Sequence, residues 1–226
     1  MATTSKAAKA VPPGEIAVEG RKVGQVLTAA KRIFLEEGYG SASMDSIARE
    51  ANVSKATLYA YYPSKEALFA ACVAEECSKH RVVYETIEAE HLPIDQALIK
   101  VGLQFMRFLL RPEVLAVHRV VVGESGRFPE LGKAFYDSGP CLIETRTAEY
   151  LKTVSERGEL DIADHQIAAE LFLAMIKGHV HLRGTLAIAR KLDLAELERF
   201  IAEAVRVFVA GYRPGRTASP LASSSD

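Results

Sequence analysis

Residues Asp45–Lys65 read DSIAREANVSKATLYAYYPSK, and the order of residue types in this stretch decides the fold. Ile47, Ala48, Ala51, Val53, Leu58 and Tyr62 supply apolar or aromatic anchors, whereas Ser54, Lys55, Thr57, Tyr59 and Tyr61 point elsewhere. The spacing predicts a short helix, a turn and a second short helix. Ser43 precedes the first helix and Ser54 the second, each as an N-cap; Pro63 closes the second, and Ser64 caps a further helix opening at Lys65. A helix that spends its outward positions on Ser, Lys, Thr and Tyr is poorly built for a core. Hydroxyls and a cation so arranged suit phosphates and base edges in the major groove of DNA.

Working outward, Val23, Val26, Leu27, Ala30, Ile33 and Phe34 recur at helical spacing, predicting a helix from about Arg21 to Glu37 that Gly38 stops. Leu68, Phe69 and Val73 continue the helix that follows Ser64. Together, IAREANVSKATLYAYYPSKEALF and the helix before it resemble the helix-turn-helix domain of TetR-family transcriptional regulators over roughly residues 21–70. The resemblance implies base or phosphate contacts from Lys55, Ala56, Thr57 and Tyr59, and phosphate contacts from Ser43, Tyr61 and Lys65; the Ser54 hydroxyl joins the same DNA-facing set. Ala60 stands where some members carry a larger residue, and Tyr62 where Phe is frequent.

The remainder of the 226-residue chain is long enough for a substantial core, and 49% apolar with 25% charged residues is ordinary for a globular protein. A net charge of -1 conceals an asymmetry: residues 1–65 hold nine Lys/Arg against six Asp/Glu, +3, leaving -4 for the rest. That distribution fits a DNA-facing first third and a partner-facing remainder. Three cysteines argue against a disulfide framework and for a reducing compartment. No apolar run approaches the roughly 18 residues of a membrane span, and the start MATTSKAAKAVPPGE lacks the apolar block of a secretory signal. Residues 1–20 read as a disordered basic arm whose Lys6 and Lys9, with Arg21 and Lys22 after it, can follow a DNA backbone or reach the minor groove, or equally as a solubilising tail, and residues 213–226 read as a disordered tail.

Residues 71–212 predict a second, all-helical domain. Helices are expected over about 94–110, through Ala97, Leu98, Val101, Phe105, Phe108 and Leu109; about 113–124, opened by Pro112; a segment after Pro129; and about 141–157, ended by Gly158. RVVVGESGRFPELGKAFYDSGP resembles the ligand-binding half of TetR regulators with an AefR-like C-terminal domain. Two broad apolar stripes close the domain: Ile167, Leu171, Phe172, Met175, Ile176, His179, Leu182 and Leu186, then Leu194, Leu197, Ile201, Ala204, Val205, Phe208 and Tyr212. In TetR-like proteins the last two helices pair with their copies in a second subunit. The resemblance therefore implies a homodimer joined through Phe172, Ile176, Leu182, Ile201, Val205, Phe208 and Tyr212, with two recognition helices for a pseudo-palindromic double-stranded operator. The candidate pocket for an unidentified small-molecule effector is Phe105, Phe108, His118, Phe128, Phe135, Phe172, Met175 and His179, aromatic and sulfur side chains that serve cores equally well.

Other chemistries lack their residues. Cys72, Cys77 and His80 do not make a metal site, because Cys72 and Cys77 diverge by about 140° on a helix and a structural zinc needs four ligands. His179 and His181, two apart, diverge as well. Gly38-Tyr39-Gly40 has no preceding strand, Gly132-Lys133 lacks a phosphate loop's upstream glycine, and Gly123-Glu124-Ser125-Gly126 is no nucleophile elbow. The expectation is an all-α, cofactor-free, non-enzymatic cytoplasmic (nucleoid-associated) regulator: a repressor released from its operator by an effector. The alternative is a DNA-binding adaptor or architectural protein without an effector.

Overall fold

The computed structural model describes the backbone of residues 13–78, 87, 90–188 and 193–215, with side chains from Arg21 onward. Lys6, Lys9, His80 and the tail from 216 lie outside the described residues. The described chain is all-α and forms two compact units, Met1–Cys72 and Val73–Asp226.

In the first unit, α1 (Pro13–Ser41) begins ahead of Arg21, so Pro13–Gly20 is helical where the sequence suggested part of an arm. Its path breaks at Gly38, whose φ of 78° lies in the left-handed region open to glycine. The break folds Tyr39 back into the core, where its ring meets Phe34 and Phe69 at centroid distances of 5.7 Å each. Helices α2 (Met44–Glu50) and α3 (Lys55–Tyr61) follow, then α4 (Lys65–Ser78). Val26, Ala30, Ile47, Leu58 and Leu68, all fully buried, come one or two from each helix and meet in one core.

The second unit holds six further helices among the described residues: α5 (Ile94–Leu109), α6 (Pro112–Glu124), α7 (Pro129–Ser138), α8 (Pro140–Glu156), α9 (His165–Thr185) and α10 (Leu194–Gly211). Proline opens α6, α7 and α8 at a position where a missing N–H costs nothing. Despite Val120, Val121 and Val122, α6 is helical, with Val121 buried and Val122 exposed. Helix α5 packs on α10 and α9, and a Cβ at Gly102 would stand 2.8 Å from Ile201, so glycine permits this close approach.

Helix α9 is not the continuous stripe expected from its spacing. Gly178 interrupts it at φ 46°, ψ -148°, with the Phe200 ring pressed where a side chain would begin, 2.6 Å from an ideal Cβ. Its inward face is Ala168, Ala169, Phe172, Leu173 and Ile176; its outward face carries Ile167, Leu171, Leu182 and Leu186. On α10, Leu197, Ile201, Ala204, Val205 and Phe208 all point inward.

Candidate nucleic-acid interface

Helix α2 starts where Ser43 accepts from the Ser46 N–H at 3.0 Å while the Ser46 side chain accepts from the Ser43 N–H at 3.2 Å, a reciprocal capping box. It ends in a Schellman-type turn: the Val53 N–H donates to Ala48 O at 3.0 Å and the Asn52 N–H to Arg49 O at 3.1 Å. Asn52, at φ 52°, takes the left-handed position that asparagine tolerates better than most side chains. Ser54 then caps α3, accepting from the Thr57 N–H at 3.0 Å, and the two hydroxyls are 2.7 Å apart. The side-chain caps on either side of the turn come from Ser43, Ser46, Ser54 and Thr57, short polar residues that the sequence supplies in register.

This geometry sorts α3 cleanly. Leu58 is fully buried and is the helix's anchor, while Lys55, Ala56 and Ala60 are exposed and Tyr59 is 48% exposed. Thr57, Tyr61 and Tyr62 are half-buried, with Tyr61 and Tyr62 at 6.5 Å between ring centroids. Of the DNA-facing positions expected on α3, Lys55, Ala56 and Tyr59 are exposed and Thr57 and Tyr61 half-buried, with Ser43 and Ser54, also exposed, at the starts of the two helices. Lys55 is not solitary: it forms an exposed ion pair with Asp45 of α2, which a phosphate would have to replace.

Lys65 has a role that spacing did not reveal. Its ammonium donates to Tyr39 O at 2.7 Å and Ala42 O at 3.0 Å, and stands 4.3 Å from the centroid of the Tyr39 ring. It therefore ties the start of α4 to the chain between α1 and α2, in addition to any phosphate contact. Beside it, the Tyr39 hydroxyl donates to Glu66 Oε1 at 2.9 Å. The Ser64 side chain, the Glu66 backbone N–H and this tyrosine hold the Glu66 carboxyl below its usual range. The signal was present as a tyrosine buried next to a lysine and a glutamate, but their separation in sequence, 26 and 27 residues, hid it.

The expected effector residues do not converge on one pocket. Phe105, Phe108 and Phe172 are buried in the core of the second unit, and Met175 packs against that core. Phe128 is half-buried with the Arg127 guanidinium 5.2 Å from its ring centroid. His179 is exposed and sits edge-on to Phe200 at 6.0 Å. His118 and Phe135 meet, at 5.9 Å between ring centroids, and they do so beside His181, Lys177 and Thr185, which were not among the effector candidates. An open surface groove of about 460 Å³ lies elsewhere, against His91, Leu92, Pro93, Arg157 and Glu159.

The expected dimer residues need correction too. Phe172, Ile176, Ile201, Val205 and Phe208 are buried within the chain's own core, with Phe172 and Phe208 in ring contact at 5.2 Å, and are not available to a second subunit. Tyr212 is half-buried against Phe208. Leu182 alone of that set is largely exposed, at 58%. The stripes are broad enough for a core and a second surface, and most of the expected dimer residues lie on the inward side.

Comparison with known proteins agrees with this architecture. Residues 26–72 match the family of bacterial regulatory proteins, tetR family, and residues 96–214 match the AefR-like transcriptional repressor C-terminal domain. The flavonoid-responsive regulator FrrA is 35% identical, with a TM-score of 0.69 over 87% of this chain and 99% of that one. A TetR family transcriptional regulator from Pseudomonas syringae pv. tomato is 25% identical, with a TM-score of 0.62 over 86% of this chain and 97% of its own. The HTH-type transcriptional regulator UidR of Escherichia coli is 27% identical across 83% of this chain and 90% of its length. The chain belongs to the TetR family of DNA-binding transcriptional regulators.

Proposed function

We propose that this TetR-family chain is a ligand-released repressor, AefR-like in its second domain, that binds a pseudo-palindromic operator as a homodimer. The observation that carries the reading is α3 itself: a helix anchored by Leu58 that exposes Lys55, Ala56, Tyr59 and Ala60 and leaves Thr57 and Tyr61 half-exposed. Lys55, Ala56, Thr57 and Tyr59 are the base- or phosphate-contacting set. Ser43, Ser54, Tyr61 and Lys65 are the set that holds the DNA backbone.

The dimer surface is the outward face of α9 and α10, where Ile167, Leu171, Leu182, Leu186, Leu194 and Val207 are each about half exposed or more. A row of large apolar residues on the last two helices supports burial against a second copy. The matched AefR-like repressor domain and the likeness to a flavonoid-responsive regulator support control by a small molecule, which must bind the DNA-free state more tightly by about 1–3 kcal/mol for ordinary coupling. Such a protein works in the cytoplasm on nucleoid DNA, and no helix among the described residues is long and apolar enough to cross a membrane.

The test is selection of DNA from a random pool by the purified full chain at near-physiological salt. A two-fold symmetric motif is expected; a folded dimer that enriches none sinks the operator-binding reading and favours an architectural role. Thr57→Ala should change preference at particular base pairs of that motif. Lys65→Ala should lower the salt dependence of binding by about one phosphate's worth.

A further inference from the structure

His118 on α6 and His181 on α9 are half-buried and meet edge-to-face at 4.9 Å between ring centroids, with the Phe135 ring of α7 on the other flank of His118. Thr185 donates its hydroxyl hydrogen to His181 O at 3.1 Å, so its 3.4 Å contact with His118 Nδ1 uses that nitrogen as donor. His118 Nε2 is thereby left as the ring's unprotonated nitrogen. The charges acting on this pair are all of one sign. Lys177 pushes both imidazoles toward neutrality, after desolvation, and Arg119 lies nearby on α6, donating to Gly184 O at 3.4 Å. Among the described residues no carboxylate acts on either ring and Lys177 makes no ion pair.

Three helices thus converge to put two proton-accepting rings beside an aromatic face, with the positive charge of Lys177 acting on both. A site so built suits an anion. We propose that His118, His181 and Lys177 recognise the carboxylate of an organic anion whose aromatic body packs on Phe135, and that this anion is the effector. The inference rests on the ligand-responsive reading above and supplies its chemical class. A carboxylate accepts from the ammonium and from imidazoles that take up protons as it binds, making charge-assisted hydrogen bonds that are shorter and stronger than neutral ones. Lys177 and His181 straddle the Gly178 break in α9, so a ligand held by both, and by His118 on α6, bears on the relative setting of the two halves of that helix.

The protonation has a readable sign. The His181 imidazole is pushed down to about 4, chiefly through burial, then through His118 and Lys177. A bound anion raises that value, so binding takes up a proton and weakens as pH rises through the bound-state value.

The experiment uses the full chain with benzoate as probe and benzamide as its neutral isostere. Benzoate is expected to shift the imidazole resonances of His118 and His181, to bind more tightly as pH falls from 8 toward 5, and to outbind benzamide by about tenfold, the difference that one charge-assisted contact makes. Lys177→Met and His181→Gln should each lose about that factor while keeping the wild-type helical content and affinity for operator DNA. Phe135→Leu should weaken benzoate by a smaller factor. Equal binding of benzamide, or histidine resonances unmoved at saturating benzoate, overturns the anion site and leaves DNA binding intact. Benzoate bound at these histidines with operator affinity unchanged upholds the site and overturns ligand release instead.

Discussion

The α2–α3 pair and the α9–α10 pair are both helix pairs with an exposed working face, yet they carry their information differently. In α2–α3 each helix is two turns long, its ends are marked by Ser43, Asn52 and Ser54, and a single residue, Leu58, holds α3 to the core. So short an element has little freedom: once the caps and one anchor are placed, every other side chain's direction follows. In α9–α10 the helices are 21 and 18 residues long and apolar on more than one side. Length and width leave open which half of the stripe is inside, and composition cannot decide it, because Leu171 and Phe172 are equally apolar. Contacts from α5, α6 and α8 decide it.

The sharpest way to break this contrast is to exchange inside for outside on α10. Phe208 is buried against Phe172 and Tyr212, so Phe208→Ala should cost about 3–5 kcal/mol of unfolding free energy, as large aromatic truncations in cores do. Denaturant unfolding checks this. A variant as stable as wild type, but monomeric by sedimentation, would return Phe208 to the interface.

The complementary change is Leu171→Asp with Leu182→Asp on the outward face of α9. Each chain should keep its helical content, while dimerisation weakens by far more than tenfold because two carboxylates meet apolar surface without partners. Unaltered sedimentation across a concentration series would place the interface elsewhere.

Gly178→Ala tests the break in α9. The substitution forces a side chain into a left-handed backbone and into the Phe200 ring at once, and should cost roughly 1–3 kcal/mol. Phe200→Ala in the same chain should return part of that loss, by making room without relieving the backbone. If Gly178→Ala alone is neutral, α9 runs straight through this position. That break was the least legible feature of the molecule: glycine occurs within helices for several reasons, and only a ring arriving from α10 distinguishes this one.

Within the α2–α3 element the expected effects are smaller. Ser54→Ala removes the cap of α3 and should lower stability by about 1 kcal/mol, read from thermal unfolding of the full chain. Here the sequence reading was nearly complete, since caps, turn and anchor are all local. It missed what is not local, the clasp in which Lys65 and Glu66 of α4 grip Tyr39 and Ala42. The eight candidate effector residues were hard to sort for the same reason in reverse: aromatic spacing marks a core and a pocket alike, and His118 meets Phe135 and His181 through the approach of α7 and α9.

The smallest predicted effect tests that clasp by pH. The folded-state carboxyl of Glu66 titrates below its ordinary 4.5, so its contribution to stability is complete above that value and is lost as pH falls through the lower, folded one. Wild type should therefore lose stability across that acid window more steeply than Glu66→Gln, which has no proton to bind there. The order of causes makes a finer distinction. Ser64 acts on the carboxylate more strongly than Tyr39 does, so Ser64→Ala should move the Glu66 titration, followed by NMR of its side-chain carboxyl, further upward than Tyr39→Phe. The reverse order would make the buried tyrosine, and with it the tie between the start of α4 and the chain after Gly38, the dominant partner. The grip on α4 would then come from the core of the first unit rather than from the α4 cap.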